Sequence, residues 1–229
     1  MTDPPRQTAA VGLPVIRPYE AGDRDAVRRV CFVTGFMGEP VAWQWRDATS
    51  FADIFSGYYT DREPESASVV EIDGEVSGYL LGCVDSSNVW NVGSVAARHI
   101  VRRGIALRPG TARVVWRTVV DAAVDLRTGR ITREQLEFSD PRWPAHLHID
   151  LVQRARGRGA GRLLVHAWLD SLRARGVPGC HLQTMAENTG AIAFFEALGF
   201  ARHGDPVLTP GLRARDGGRL HVQAMTLDL

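Results

Sequence analysis

Residues 145–175 read Ala-His-Leu-His-Ile-Asp-Leu-Val-Gln-Arg-Ala-Arg-Gly-Arg-Gly-Ala-Gly-Arg-Leu-Leu-Val-His-Ala-Trp-Leu-Asp-Ser-Leu-Arg-Ala-Arg. Three kinds of local order follow one another here. Residues 145–152 alternate apolar and polar side chains, the period of a half-buried strand. Residues 153–161 are a basic, glycine-rich loop. Residues 162–175 carry Leu164, Val165, Trp168, Leu169 and Leu172 at helical spacing, a one-sided apolar stripe. A strand that runs through glycines into a helix start makes an anion cradle. Glycines let the backbone approach a ligand closely, and the first helical turn offers unpaired N–H groups at the positive end of the dipole. Arg154, Arg156, Arg158 and Arg162 add side-chain charge around it. The expected ligand carries phosphate.

The chain around this stretch has 229 residues, enough for one domain with a substantial core or one domain with an elaboration. A hydrophobic share of 45% and a charged share of 23% are those of a soluble globular protein. Net charge is +1, so the molecule as a whole is not a polyanion binder. The positive charge is local: residues 153–175 hold six Arg against one Asp. All 27 basic residues are Arg, which excludes a Walker A lysine and a Schiff base. Cys31, Cys83 and Cys180 are widely spaced in apolar contexts and form no CxxC pair. They read as buried free thiols in a reducing cytoplasm, with a nucleophilic cysteine as the lesser alternative. No run of signal-peptide character opens the chain, and no apolar run reaches about 18 residues, so a cytoplasmic protein without membrane spans is expected.

Taken in order, residues 1–12 are polar and expected to be disordered. Val15-Ile16-Arg17 is a short strand, and Asp23 is expected to cap a helix through about Thr34. Met37–Trp45 is loop-like and Asp47–Tyr59 a weaker aromatic helix. Two strands, 68–72 and 76–84, flank Asp73-Gly74, a favoured hairpin pair. Residues 86–143 change character. They predict helices over about 89–103 and 112–127 and read as an insertion serving as lid, substrate wall or homodimer surface. After the central stretch come a strand, Cys180–Met185, and a helix capped by Asn188 that ends at Gly199. Residues 200–229 form two strands around Asp216-Gly217-Gly218. The fold expected is α+β: a mixed, mostly antiparallel central sheet flanked by helices, with a helical insertion before the central strand.

The loop Arg156-Gly157-Arg158-Gly159-Ala160-Gly161 spells R-x-x-G-x-G. Its third glycine falls one residue too early for the GxGxxG of a dinucleotide site. A tight strand–helix turn with solvated arginines is one alternative, and an RGG-like nucleic-acid segment another. The second fits poorly, because the loop lies between a strand and an amphipathic helix. With Ile149-x-Leu151-x-Gln153 before it and Asn188-x-x-Ala191-x-x-Phe194-Phe195-x-x-Leu198-Gly199-Phe200 after it, the arrangement resembles the GNAT superfamily of acetyl-CoA-dependent N-acetyltransferases. The opening Ile16-Arg17-Pro18 with Asp23 is similar as well. The resemblance covers residues 14–85 and 145–229. The run His146–Leu151, preceded by Arg-Trp-Pro-Ala, resembles the bacterial relatives of the acetyltransferase-like domain of O-GlcNAc hydrolases.

The resemblance implies a GNAT fold and an acetyl-CoA site. The amides of Arg158, Gly159, Ala160, Gly161 and Arg162, in a loop begun by Arg156 and Gly157, would hold the pyrophosphate. The edge of Leu151, Val152 and Gln153 would pair with the pantetheine arm. The thioester would lie where this strand splays from Cys180–Met185, with a backbone N–H near Leu151 stabilising the oxyanion. Asn188, Ala191 and Phe195 would complete the cofactor wall, with a plain N-cap as the other role for Asn188. The family often has tyrosine at the position of Phe195, whose hydroxyl protonates the leaving thiolate; phenylalanine cannot.

An acceptor amine must be neutral to attack, which calls for a base. Strand alternation puts His146, His148 and Asp150 on one face and Leu147, Ile149 and Leu151 on the other. Asp150, with His148 beside it, is the candidate base, and the Asp would raise the His148 pKa. Hydrogen-bonded structural roles are the alternative. The expected activity is direct transfer of acetyl from acetyl-CoA to an amine on a small molecule or peptide. A non-catalytic acyl-CoA-binding module and a nucleic-acid binder are the competing readings. No metal is expected.

Overall fold

Asp73 and Gly74 both hold positive φ, 52° and 77°, the backbone of a two-residue hairpin turn. They join β2 (Ala67–Ile72) to β3 (Glu75–Cys83), and β1 (Val15–Pro18) adds to the outer edge of β2. The remaining strands are β4 (Ala145–Leu151), β5 (Gly179–Met185), β6 (Ala201–Arg213) and β7 (Arg219–Asp228). In the computed structural model, which describes residues 12–88, 104–107, 110–132, 135 and 138–229, they form one sheet ordered β1-β2-β3-β4-β5-β7-β6. Only β4 and β5 run parallel, and the chain crosses between them through a helix, as a parallel pair requires.

Six α-helices flank the sheet among the described residues: α1 (Arg24–Thr34), α2 (Ala48–Phe55), α3 (Gly57–Arg62), α4 (Ala112–Arg127), α5 (Ala160–Ala174) and α6 (Thr189–Glu196). The predicted fold class is therefore present. The apolar stripe Leu164, Val165, Trp168, Leu169 and Leu172 of α5 is buried against Leu80, Leu147, Cys180 and Leu182 of the sheet. Val27, Val30 and Cys31 of α1 are buried on Val69, Tyr79 and Leu81 of the other face. β4 thus lies between two cores, which fixes which way each of its side chains points.

Four local expectations need correction. The weak helix over 47–59 is two helices broken at Ser56; Asp47 caps the first, accepting from Ser50 N–H at 2.8 Å. Asp23 stands at the N-cap of α1, but its carboxylate accepts from Arg17 instead, at 2.7 and 2.8 Å. The helix after the glycine loop begins at Ala160, two residues early. The helix after Asn188 ends at Glu196, with Gly199 in the turn that follows. The expectations for residues 1–11 and for a helix over 89–103 lie outside the described residues.

The 112–127 helix is present; Val114 and Val115 in its first turn are buried as in a usual surface helix, but beyond them the faces are reversed. Asp121, Asp125 and Arg117 face the sheet, while Trp116, Val119, Val120 and Val124 are exposed, the last 45% and the others more than half. Asp121 Oδ2 accepts from Gly211 N–H at 2.9 Å, and Asp121 Oδ1 accepts from Arg213 at 3.0 Å. Asp125, fully buried, pairs with Arg219. Charge pairing with Arg213 and Arg219 of β6 and β7 outweighs the apolar stripe in deciding which face docks.

Candidate active site

β4 is paired on both sides only at its start. Toward β5 the register covers Ala145↔Cys180 and His146↔His181 and then stops; toward β3 it runs from His146 to Leu151. The two parallel strands part after His146, as expected. Val152 N–H donates to Ser77 O at 2.9 Å, which fixes the antiparallel phase. Asp150 and Val152 turn their backbone groups toward β3, and Ile149 and Leu151 turn theirs into the opening. The edge that faces the opening is therefore Ile149 and Leu151, with Leu151 O taken by Arg156. Val152 is committed to β3, and Gln153 starts a short 3₁₀ turn, Gln153–Ala155.

The glycine loop follows directly. Gly157 and Gly159 hold φ of 69° and 81°, and a Cβ on either would meet no protein atom within 4 Å, so open space lies beside both. Gly159 is the N-cap of α5, and no side chain caps that end. The first amide with an intrahelical acceptor is Leu163 N–H, 3.1 Å from Gly159 O. The N–H groups of Ala160, Gly161 and Arg162 precede it and lack that partner. A Cβ on Gly161 would lie 3.2 Å from both Leu151 Cδ1 and Phe194 Cζ, so glycine there lets the helix start sit against the end of β4. Open amides, a helix dipole and the exposed Arg162 fit a pyrophosphate.

The other loop arginines are partly spent on the protein itself. Arg154 donates to Ser77 Oγ at 3.0 Å and to Glu75 at 2.7 Å. Arg156 donates to Leu151 O at 2.8 Å and to the Gly38 carbonyl. Arg158 is exposed beside the cradle. Asn188 Oδ1 accepts from Ala191 N–H at 3.2 Å, the N-cap role. Ala191 is half-buried on the first turn of α6. Phe195 is 5% exposed and packs edge-on against Phe194 and Phe200, with ring centroids 5.1 and 5.6 Å away.

On the opposite face of β4 the structure brings the expected acid–base groups together. His148 Nε2 lies 3.3 Å from Asp150 Oδ2, and Tyr79 OH donates to the same oxygen at 2.6 Å. Asp150 Oδ1 has no hydrogen-bond partner among the described residues. His148 Nδ1 lies 3.2 Å from Phe55 O. Both ring nitrogens thus face acceptors, which favours the doubly protonated ring. Burial opposes the charge, but the Asp150 hydrogen bond, its negative charge and the Phe55 carbonyl outweigh it, and the His148 pKa is raised above its ordinary value. His146 is the opposite case. Burial, then the nearby His181 and His148, push it down to about 3, so it is neutral. Its Nε2 meets Tyr59 OH, and its Nδ1 is buried without a partner among the described residues.

Tyr79 and Tyr59 are members of this cluster that the sequence did not single out. The available signal for Tyr79 was one phenol in an otherwise apolar buried strand, which needs a polar partner. Burial raises the Cys31 and Cys180 thiols to about 12 and Cys83 beyond, so a thiolate nucleophile is not favoured. Among the described residues, no group of three His, Cys, Asp or Glu side chains is arranged to hold a metal ion, and no helix is long and apolar enough to cross a membrane.

Comparison with known proteins agrees with this geometry. The chain is 28% identical over 207 residues to mycothiol acetyltransferase of Nocardia farcinica (strain IFM 10152), covering 86% of this chain and 64% of that protein. It is 35% identical over 54 residues to mycothiol acetyltransferase of Renibacterium salmoninarum, covering 24% of this chain and 16% of that protein. The chain thus spans less than two thirds of the length of these curated relatives. Among solved structures, SsHAT superposes with a TM-score of 0.67 at 26% identity, covering 94% of this chain and 98% of that one. The yncA structure from Salmonella typhimurium, solved with its cofactor acetyl-CoA, gives 0.57 at 16% identity, with 95% of each chain covered. That second likeness shows the fold alone. A family model for the acetyltransferase (GNAT) family matches residues 36–200, which include the parting of β4 from β5, the glycine loop and all of α6. The chain belongs to the acetyltransferase (GNAT) family.

Proposed function

We propose that this protein transfers acetyl from acetyl-CoA directly to an amine on a small molecule or peptide. One observation carries the reading. The edge of Ile149 and Leu151, which no strand covers, leads within nine residues to the open amides of Ala160–Arg162, and Asp150 stands on the same strand with one carboxylate oxygen free among the described residues. When bound, acetyl-CoA supplies an activated acyl thioester. Ile149 and Leu151 would hold its amide-rich arm as an added strand, and the Leu151 N–H would stabilise the oxyanion. Asp150 Oδ1 takes the proton as the amine nitrogen bonds to the thioester carbon; the C–S bond then breaks, the thiolate is protonated by water, and Asp150 returns its proton to the hydroxide so formed. His148 and Tyr79 hold Oδ2 and so aim Oδ1.

Within the family, the His146–Leu151 run supports a relationship to the bacterial relatives of the acetyltransferase-like domain of O-GlcNAc hydrolases. Three buried free thiols accord with a reducing cytoplasm. A second reading, a non-catalytic acyl-CoA-binding module, is favoured by Phe195, a side chain without an acidic proton packed in the core. Steady-state release of coenzyme A across a panel of amines separates the two. Turnover that needs an added amine supports transfer. Tight binding of acetyl-CoA without turnover on any amine supports the module.

A further inference from the structure

Arg156 opens the glycine loop, yet its side chain leaves it. The guanidinium donates through Nε to Leu151 O at 2.8 Å, through Nη1 to Gln153 Oε1 at 3.4 Å, and through Nη2 to the Gly38 carbonyl, 118 residues away in sequence. Leu151 is the residue whose backbone faces the opening beside β4. Gly38 lies in the tight turn between α1 and α2, on the Asp150 face of the sheet. Three elements therefore meet on one planar fork whose donors keep a fixed geometry.

The turn is shaped to receive that fork. Phe36 and Glu39 exchange two backbone hydrogen bonds of 2.9 Å, and Gly38 N–H donates to Thr34 O at 2.9 Å. Met37 and Gly38 hold φ of 52° and 86°. A Cβ on Gly38 would stand 2.6 Å from Arg156 Nη2, so glycine is needed both for the backbone and for the guanidinium. Met37 has a side chain in the left-handed region, so its surroundings must hold it there. Phe36 and Met37 belong to the same apolar cluster as Tyr79, Val152 and Met185, at the ends of β4 and β5 where the sheet opens.

We infer that Arg156 is a positioning residue that couples the coenzyme loop to the 36–39 turn, so that filling the cradle at 157–162 also orders the acceptor side. The inference rests on the proposed coenzyme site. A ligand on the amides of 157–162 fixes the Arg156 backbone. The fork then holds the Gly38 carbonyl, and an acceptor arriving second meets an ordered turn. Ordering of one site lowers the cost of filling the other.

Hydrogen exchange of the full chain with and without acetyl-CoA tests this, with no acceptor needed. In the wild type, acetyl-CoA should slow exchange at 157–163 and, by about fivefold or more, at 36–41. Arg156→Lys keeps the charge but cannot bridge two carbonyls as a fork, and should lose the protection at 36–41 whatever remains of that at 157–163. Gly38→Ala attacks the contact from the other side, changes no residue of the coenzyme loop, and should keep the protection at 157–163 while losing that at 36–41. Equal protection of 36–41 in the wild type and both variants would overturn the coupling while leaving the coenzyme site intact. No protection at 157–163 in the wild type would overturn the coenzyme reading and this inference with it.

Discussion

His148 presents Nε2 to Asp150 Oδ2 at 3.3 Å while its Nδ1 faces the Phe55 carbonyl at 3.2 Å, so the ring sits between two acceptors. Its folded pKa lies above the ordinary 6.5. The stabilisation this gives is complete below the unfolded value and is lost as pH rises through the folded one. The variant His148→Gln should therefore cost the protein more at pH 6 than at pH 9. Thermal unfolding of both proteins across that range checks it; a gap that widens with pH would contradict the assigned proton.

His146 predicts the reverse slope. It holds its proton only below about 3 when folded, against 6.5 as the reference. Between those values the unfolded chain binds a proton that the folded one does not, so stability falls as pH falls, by up to about 1.4 kcal/mol per pH unit. His146→Gln should flatten the acid limb between pH 6 and 4. Denaturant titrations at several pH values measure the slope directly.

Asp150→Asn keeps size and polarity at the oxygen pair but removes the base. Turnover on any amine accepted by the wild type should fall by about 10²–10⁴-fold, the usual worth of a general base. Acetyl-CoA affinity should stay within about twofold, because the carboxylate lies on the face of β4 away from α5. Unchanged turnover in the folded variant would remove Asp150 from the chemistry.

The order of strands and helices was legible because each rests on short-range signals. Asp73-Gly74 turns the hairpin, alternation marks β4, and Asn188 caps α6 whatever the rest of the chain does. The glycine loop was legible for the same reason, since it and the helix it opens are contiguous. The partners of Asp150 were not. Tyr79 reaches it only through the β3–β4 register, set across some sixty residues instead of a hairpin turn, and Phe55 meets His148 only because α2 ends over β4. The reversed α4 was illegible for another reason. Its stripe of Trp116, Val120 and Val124 is amphipathic by period, but Asp121 and Asp125 find their arginines on strands that come nearly a hundred residues later.

Phe195→Tyr tests the missing proton donor. The ring lies in the main core against Phe194 and Phe200. A hydroxyl there without a partner should cost about 1–3 kcal/mol of stability and bring no gain in turnover. A faster variant would mean that the ring edge does face the thioester and that a phenol at this position completes the site.

The central claim is that the strand edge at Ile149 and Leu151 and the loop at 157–162 bind coenzyme A, and thermal unfolding with ligand tests it most directly. Acetyl-CoA and coenzyme A at about a hundred times their dissociation constants should each stabilise the wild type by about 2.7 kcal/mol, or about 5–10 °C. Gly159→Val forces a β-branched residue to positive φ beside the cradle, where no protein atom would otherwise obstruct it. It should weaken both ligands by about tenfold or more while leaving the fold intact. A wild type whose unfolding is unmoved by either ligand would contradict the account.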